Sequence, residues 1–151
     1  MSTATAPSEA TDRIHPFANR PKTLAEAVRR STDLDALSIA LPEFLDTFYG
    51  HIRRGDIAAA SASLADEPPP ATSPELHAYF GGVAEHLSRR WGLPAIPSWA
   101  EHPSRFLKTP VFEQSSPDAK RIYLKESPLA FRRRLIFTEA VPLRRARMPR
   151  P

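Results

Sequence analysis

The 151-residue chain contains no cysteine, which removes disulfides, thiolate metal sites and cysteine nucleophiles together. It has no apolar run long enough to cross a bilayer. Its first 22 residues, rich in Ser, Thr, Ala and Pro, lack the apolar core of a signal peptide. The expectation is a soluble, cytoplasmic protein. Of its five glycines, the adjacent pair Gly81-Gly82 is not followed by the Lys-Ser/Thr that a phosphate loop requires. No serine stands in a Gly-x-Ser-x-Gly turn, and no His-Glu-x-x-His spacing occurs. His77 and His86 fall on one predicted helix, but nine residues at about 100° each place them on opposite faces. With no catalytic constellation in view, the sequence reads as non-catalytic, with no metal or organic cofactor.

What the chain has in abundance is proline, 17 in all, and apolar residues at helical spacing. Thr23-Leu24-Ala25-Glu26 fits a capping box that starts a short helix running to about Arg30. Asp33 caps a second short turn carrying Leu34, Leu37 and Ile39. Pro42 then suits the first turn of a new helix whose stripe is Leu41, Phe44, Leu45, Phe48 and Ile52, stopped by Gly55. Asp56 caps an alanine-rich segment through Leu64, and residues 66–72, with three consecutive prolines, form a stiff connector. Ser73-Pro74-Glu75 joins a cap, a proline at the first helical position and an acid at the positive end of the dipole. The helix it starts, about 17 residues long by this reading, carries Leu76, Tyr79, Phe80, Val83, Leu87 and Trp91 and ends at Gly92. Gly81-Gly82 inside it lets another element approach closely. From Leu93 to Pro117 the prolines preclude long helices, so Trp99 and Phe106 act as aromatic plugs over the core. Ser116-Pro117-Asp118 and Ser127-Pro128 start two more short helical segments. The expected fold is mostly α: a small irregular helical domain over residues 23–140 with proline-rich connections, a disordered N-terminal segment 1–22 and a basic tail 141–151.

Charge is unevenly divided. Residues 120–151 hold ten basic and two acidic side chains, while the first 119 carry a formal charge of −4. Seven arginines lie between Arg132 and Arg150. Such an end calls for an acidic partner or a polyanion. The candidate binding residues are Arg132, Arg133, Arg134, Arg144, Arg145 and Arg147. Consecutive helical residues spread over about 200°, so at most two of the triplet can address one ligand. The triplet serves either a specific partner or structural ion pairs. The tail, with little apolar content, is expected to be flexible unless an acidic surface or nucleic acid orders it.

Several strings carry a resemblance: Glu85 to Pro94, Pro97-Ser98-Trp99, Arg105-Phe106-Leu107, and above all Glu126-Ser127-Pro128-Leu129-Ala130-Phe131-Arg132-Arg133-Arg134, with Phe44 to Tyr49 upstream. Over roughly residues 40–148 the chain resembles a family of small uncharacterised bacterial proteins with a Glu-Ser-Pro-x-Ala-Phe-Arg-Arg-Arg signature. Members are often encoded beside a nucleotidyltransferase-fold protein, in the manner of toxin–antitoxin pairs. The resemblance implies an antitoxin-like or accessory protein that binds a protein partner, a nucleotidyltransferase-type toxin being the candidate, through its arginine-rich C-terminal part. Binding of nucleic acid by the same arginines is the alternative.

Overall fold

The computed structural model describes residues 19–150, which are mostly helical. Expectations for residues 1–18 lie outside the described residues. Helix α1 (Leu24–Arg30) starts where Thr23 Oγ1 accepts from the Glu26 amide at 3.0 Å. Glu26 reaches back one residue further than a standard capping box, accepting from the Lys22 amide at 2.8 Å. That bond, a buried Pro21 and the carbonyl of Asn19 bonded by Arg30 hold residues 19–22 along α1, so this part of the expected disordered stretch is structured.

Helix α2 spans Leu34–Arg53 without interruption. The expected break at Pro42 does not occur. Proline has no amide to give Ser38, a loss worth about 3 kcal/mol in an average helix interior. Against it stands the burial of Leu41, Phe44, Leu45, Phe48 and Tyr49, at 0–8% exposure, each such side chain contributing roughly 1.5–3 kcal/mol. Tertiary packing wins over the local signal. Gly55, at φ +70°, then turns the chain, and Asp56 Oδ1 caps helix α3 (Ile57–Ala65) through the Ala59 amide.

Helix α4 (Pro74–Arg90) has the expected 17 residues, with Ser73 as its cap and Gly92 at φ +69° as its stop. Its burial runs over most of the circumference from Ala78 to Ser88 and includes Glu85. The glycine pair explains how neighbours come so close: a Cβ on Gly82 would stand 2.7 Å from the Phe131 ring, and one on Gly81 would stand 3.1 Å from both Arg105 and Arg134. Two 3-10 turns (Ser98–Glu101 and Pro103–Arg105) lie across α4. Trp99 is buried as expected, its indole N–H donating to the Leu64 carbonyl at 2.9 Å.

The C-terminal third departs further from the periodicity. Strands β1 (Val111–Phe112) and β2 (Ile136–Phe137) pair in parallel on either side of helix α5 (Pro117–Glu126) and helix α6 (Leu129–Arg132). Runs of two residues have no period to read, which is why the pairing was not anticipated. The tail is also docked: Leu143 and Met148 pack against the core. The Tyr49 hydroxyl donates to the Leu143 carbonyl at 2.7 Å, and Arg145 forks onto Asp46 with two bonds of 2.8 Å. The acidic surface that orders the tail belongs to the chain itself.

Candidate interaction surface around Glu85

Position 85 falls on the face of α4 covered by α6 and the first 3-10 turn. Its carboxylate is fully buried, at 0% exposure, and accepts from three arginines. Arg134 Nη1 donates to Oε1 at 2.6 Å, Arg133 Nη1 lies 2.7 Å from both oxygens, and Arg89 Nε donates to Oε2 at 2.7 Å. Burial pushes the carboxyl pKa up, but the hydrogen bonds from Arg134, Arg89 and Arg133 outweigh it and hold the group at about 2.

Arg134 is equally buried, at 0%. Beyond Glu85 its guanidinium donates to the carbonyls of Ala130 at 2.8 Å and Ala100 at 2.6 Å, and its central carbon lies 4.4 Å from the Phe106 ring centroid. Burial lowers its pKa and Glu85 counters that. Its Nε, set against Gly81, has no hydrogen-bond partner among the described residues. Arg133 bridges outward, forking onto Glu101 at 2.8 and 3.2 Å; the bonds to Glu101 and Glu85 raise its pKa. Arg132 turns the other way and closes α5, donating to the carbonyls of Lys125 at 2.8 Å and Ser127 at 3.0 Å. The triplet is thus divided: Arg134 is core, Arg133 is a bridge, and Arg132 is a cap with its remaining N–H groups exposed.

The tail arginines lie elsewhere, in a segment bonded to α2 through Arg145 and the Arg147 carbonyl. Arg145 is the Asp46 partner and lowers that carboxyl's pKa by its hydrogen bond. Arg144 Nε donates to the Val141 carbonyl, and Arg147 offers its carbonyl to Arg53 Nη1 at 2.6 Å while its side chain is exposed. The six sequence candidates therefore form two groups rather than one site.

The sequence reading left out of the binding residues Arg105, fully buried, which donates to the carbonyls of His77 and Pro68 and to Glu67 while covering the Trp99 ring at 4.8 Å. It also missed Glu85 as the hub; the available signal was an acid on the apolar side of α4, at four-residue spacing from Gly81 and Arg89. His77 and His102 both contact Ser104 Oγ, at 3.1 and 2.8 Å. Among the described residues no group of three or more His, Cys, Asp or Glu is placed to hold a metal ion, and no helix is long and apolar enough to cross a membrane.

Around this network lies an uncovered apolar residue. Leu129, the first residue of α6, is 53% exposed, while its neighbours Ala130 and Phe131 are 1% and 0% exposed. Helical spacing puts Arg132 and Arg133 on its face. A depression of about 310 Å³ joins it to His86, Arg89 and Arg90 at the end of α4. His86 is partly buried with its ring 5.7 Å from that of Phe131, and burial, then the charge of Arg90, lowers its pKa to about 4. No protein-family model, curated protein or solved structure matches the chain.

Proposed function

We propose that the chain is a non-catalytic binding protein that docks an acidic protein surface on Leu129 and the arginines around it. The observation that carries this reading is an apolar side chain left in solvent beside Arg89 and Arg90, on a short helix followed by Arg133, which is held from behind by Glu85. An apolar anchor with cations beside it fits an interface with a desolvated centre and charged rim. Phosphates on a duplex need the cations without the anchor. Holding Arg89 and Arg133 on a buried carboxylate reduces the side-chain entropy lost on binding. The sequence resemblance supplies a nucleotidyltransferase-fold protein as the candidate partner.

A direct test titrates the full chain with a synthetic acidic helical peptide bearing one leucine flanked by glutamates, and separately with a random DNA duplex. Burying Leu129 contributes roughly 1.5–3 kcal/mol, so Leu129→Glu is expected to weaken peptide binding by about 10-fold to 100-fold. Duplex binding that is tighter than peptide binding, falls steeply with salt and ignores Leu129→Glu would overturn the reading in favour of nucleic acid.

A further inference from the structure

A concavity of about 650 Å³ lies toward the other end of α4. Val28, Leu34, Leu37, Pro69, Leu76 and Phe80 supply its apolar lining. Phe80 and Val28 are buried, and Leu34, on the same groove, is 69% exposed. Asp33 and Asp35 also line it. One oxygen of Asp33 caps the Ala36 amide at 2.7 Å; the Asp35 carboxylate has no partner among the described residues. The lining's single cation, Arg29, lies on α1 within the field of Glu26. The groove is therefore apolar inside and bears two exposed carboxylates, the counterpart of an exposed leucine with Arg89 and Arg90 beside it.

One molecule cannot join the two. Leu76 in the groove and Arg89 beside Leu129 are thirteen residues apart on α4, about 20 Å along a straight helix. We propose that a second copy of the chain seats its Leu129 in this groove, with Arg89, Arg90 and Arg132 facing Asp33 and Asp35. The inference rests on the reading of the Leu129 surface as a dock for acidic surfaces, and adds that another copy's groove is one of them. Self-association and partner binding then exclude each other. The contact is heterologous, so copies add head to tail rather than closing as a symmetric pair. Its charges are exposed, which makes it weak and sensitive to salt.

Sedimentation of the full chain from micromolar to sub-millimolar concentration tests this. At low salt the weight-average mass is expected to rise to twofold or more above the monomer, and to fall back at high salt. Leu129→Glu, and separately the double variant Leu34→Lys with Asp35→Lys, are each expected to remain monomeric. Mixed together they retain one intact anchor and one intact groove, so the mixture should reach twice the monomer mass and no more. Asp35→Asn alone, which leaves the cap of α2 in place, should weaken association about twofold to fivefold. A wild-type chain that stays monomeric, or a mixture that stays monomeric, overturns the inference. Titrating the acidic peptide into the groove variant separates the two readings. Peptide binding without self-association means that this inference alone fails, whereas complementation between the variants without peptide binding supports this contact and refutes docking of other acidic surfaces.

Discussion

Removing the Glu85 carboxylate is the perturbation that most directly probes what holds the C-terminal third in place. In Glu85→Ala, Arg134 keeps its bonds to the Ala130 and Ala100 carbonyls but loses its direct ion-pair partner, leaving only the more distant charge of Glu101 for a guanidinium at 0% exposure. Breaking a buried pair from one side typically costs about 3–5 kcal/mol, because the partner charge is left uncompensated. For a chain of this length that is a fall in melting temperature of roughly 6–20 °C. The same pair sets a pH dependence. The carboxyl is held at about 2 against an ordinary 4.5, so its stabilisation is fully present above the ordinary value and is lost as pH falls from about 5 toward 2. The shift corresponds to about 3 kcal/mol, of the order typical for a buried pair broken from one side. Urea unfolding of wild type and Glu85→Ala between pH 7 and pH 2.5 should therefore show a gap that narrows with acidification. Replacing Glu85 and Arg134 together by methionine should cost less than Glu85→Ala alone, since no buried charge is orphaned. A single-variant cost below about 1 kcal/mol, or a gap that does not change with pH, would refute the reasoning.

Three further outcomes follow from the packing. Gly82→Ala puts a Cβ 2.7 Å from Phe131; despite a helix-propensity gain of about 1 kcal/mol it should destabilise the chain by roughly 1–2 kcal/mol, read by thermal melting. Trp99→Ala and Phe131→Ala should each cost about 3–5 kcal/mol by denaturant titration, and unchanged midpoints would show that these rings are not core. Arg145→Ala, which leaves Asp46 with its 3.9 Å pair to Arg20 and removes one attachment of the tail, should change stability by about 1 kcal/mol or less while speeding proteolysis near Arg144 and Arg147.

Helix starts were legible because their chemistry is local. Thr23, Asp33, Asp56, Ser73 and Ser116 each accept from the amide three residues on, as their residue types imply. Pro42 was misread because the same proline that opens a helix is also tolerated within one when buried apolar mass compensates. Whether Arg132, Arg133 and Arg134 face solvent or core depends on where α6 meets α4. That meeting is set by Gly82 and Phe131, 49 residues apart, and no periodicity reports it. An acid on the apolar side of α4 four residues before Arg89 was the only local sign of Glu85; its role as hub was not legible, since Arg133 and Arg134 come from another helix end. The tail was read as too polar to pack; Leu143 and Met148, with Tyr49 and Asp46 waiting on α2, suffice to hold it.

The central claim is that the surface around Leu129 is where an acidic partner docks. Backbone amide shifts of the full chain, recorded by NMR during titration with the acidic leucine-bearing peptide, test its location. The account predicts the largest changes at His86, Arg89, Arg90, Leu129 and Arg132, with those changes abolished in Leu129→Glu. Changes confined to Arg53, Arg144 and Arg147 on the tail face, or no localised change at saturating peptide, would contradict it.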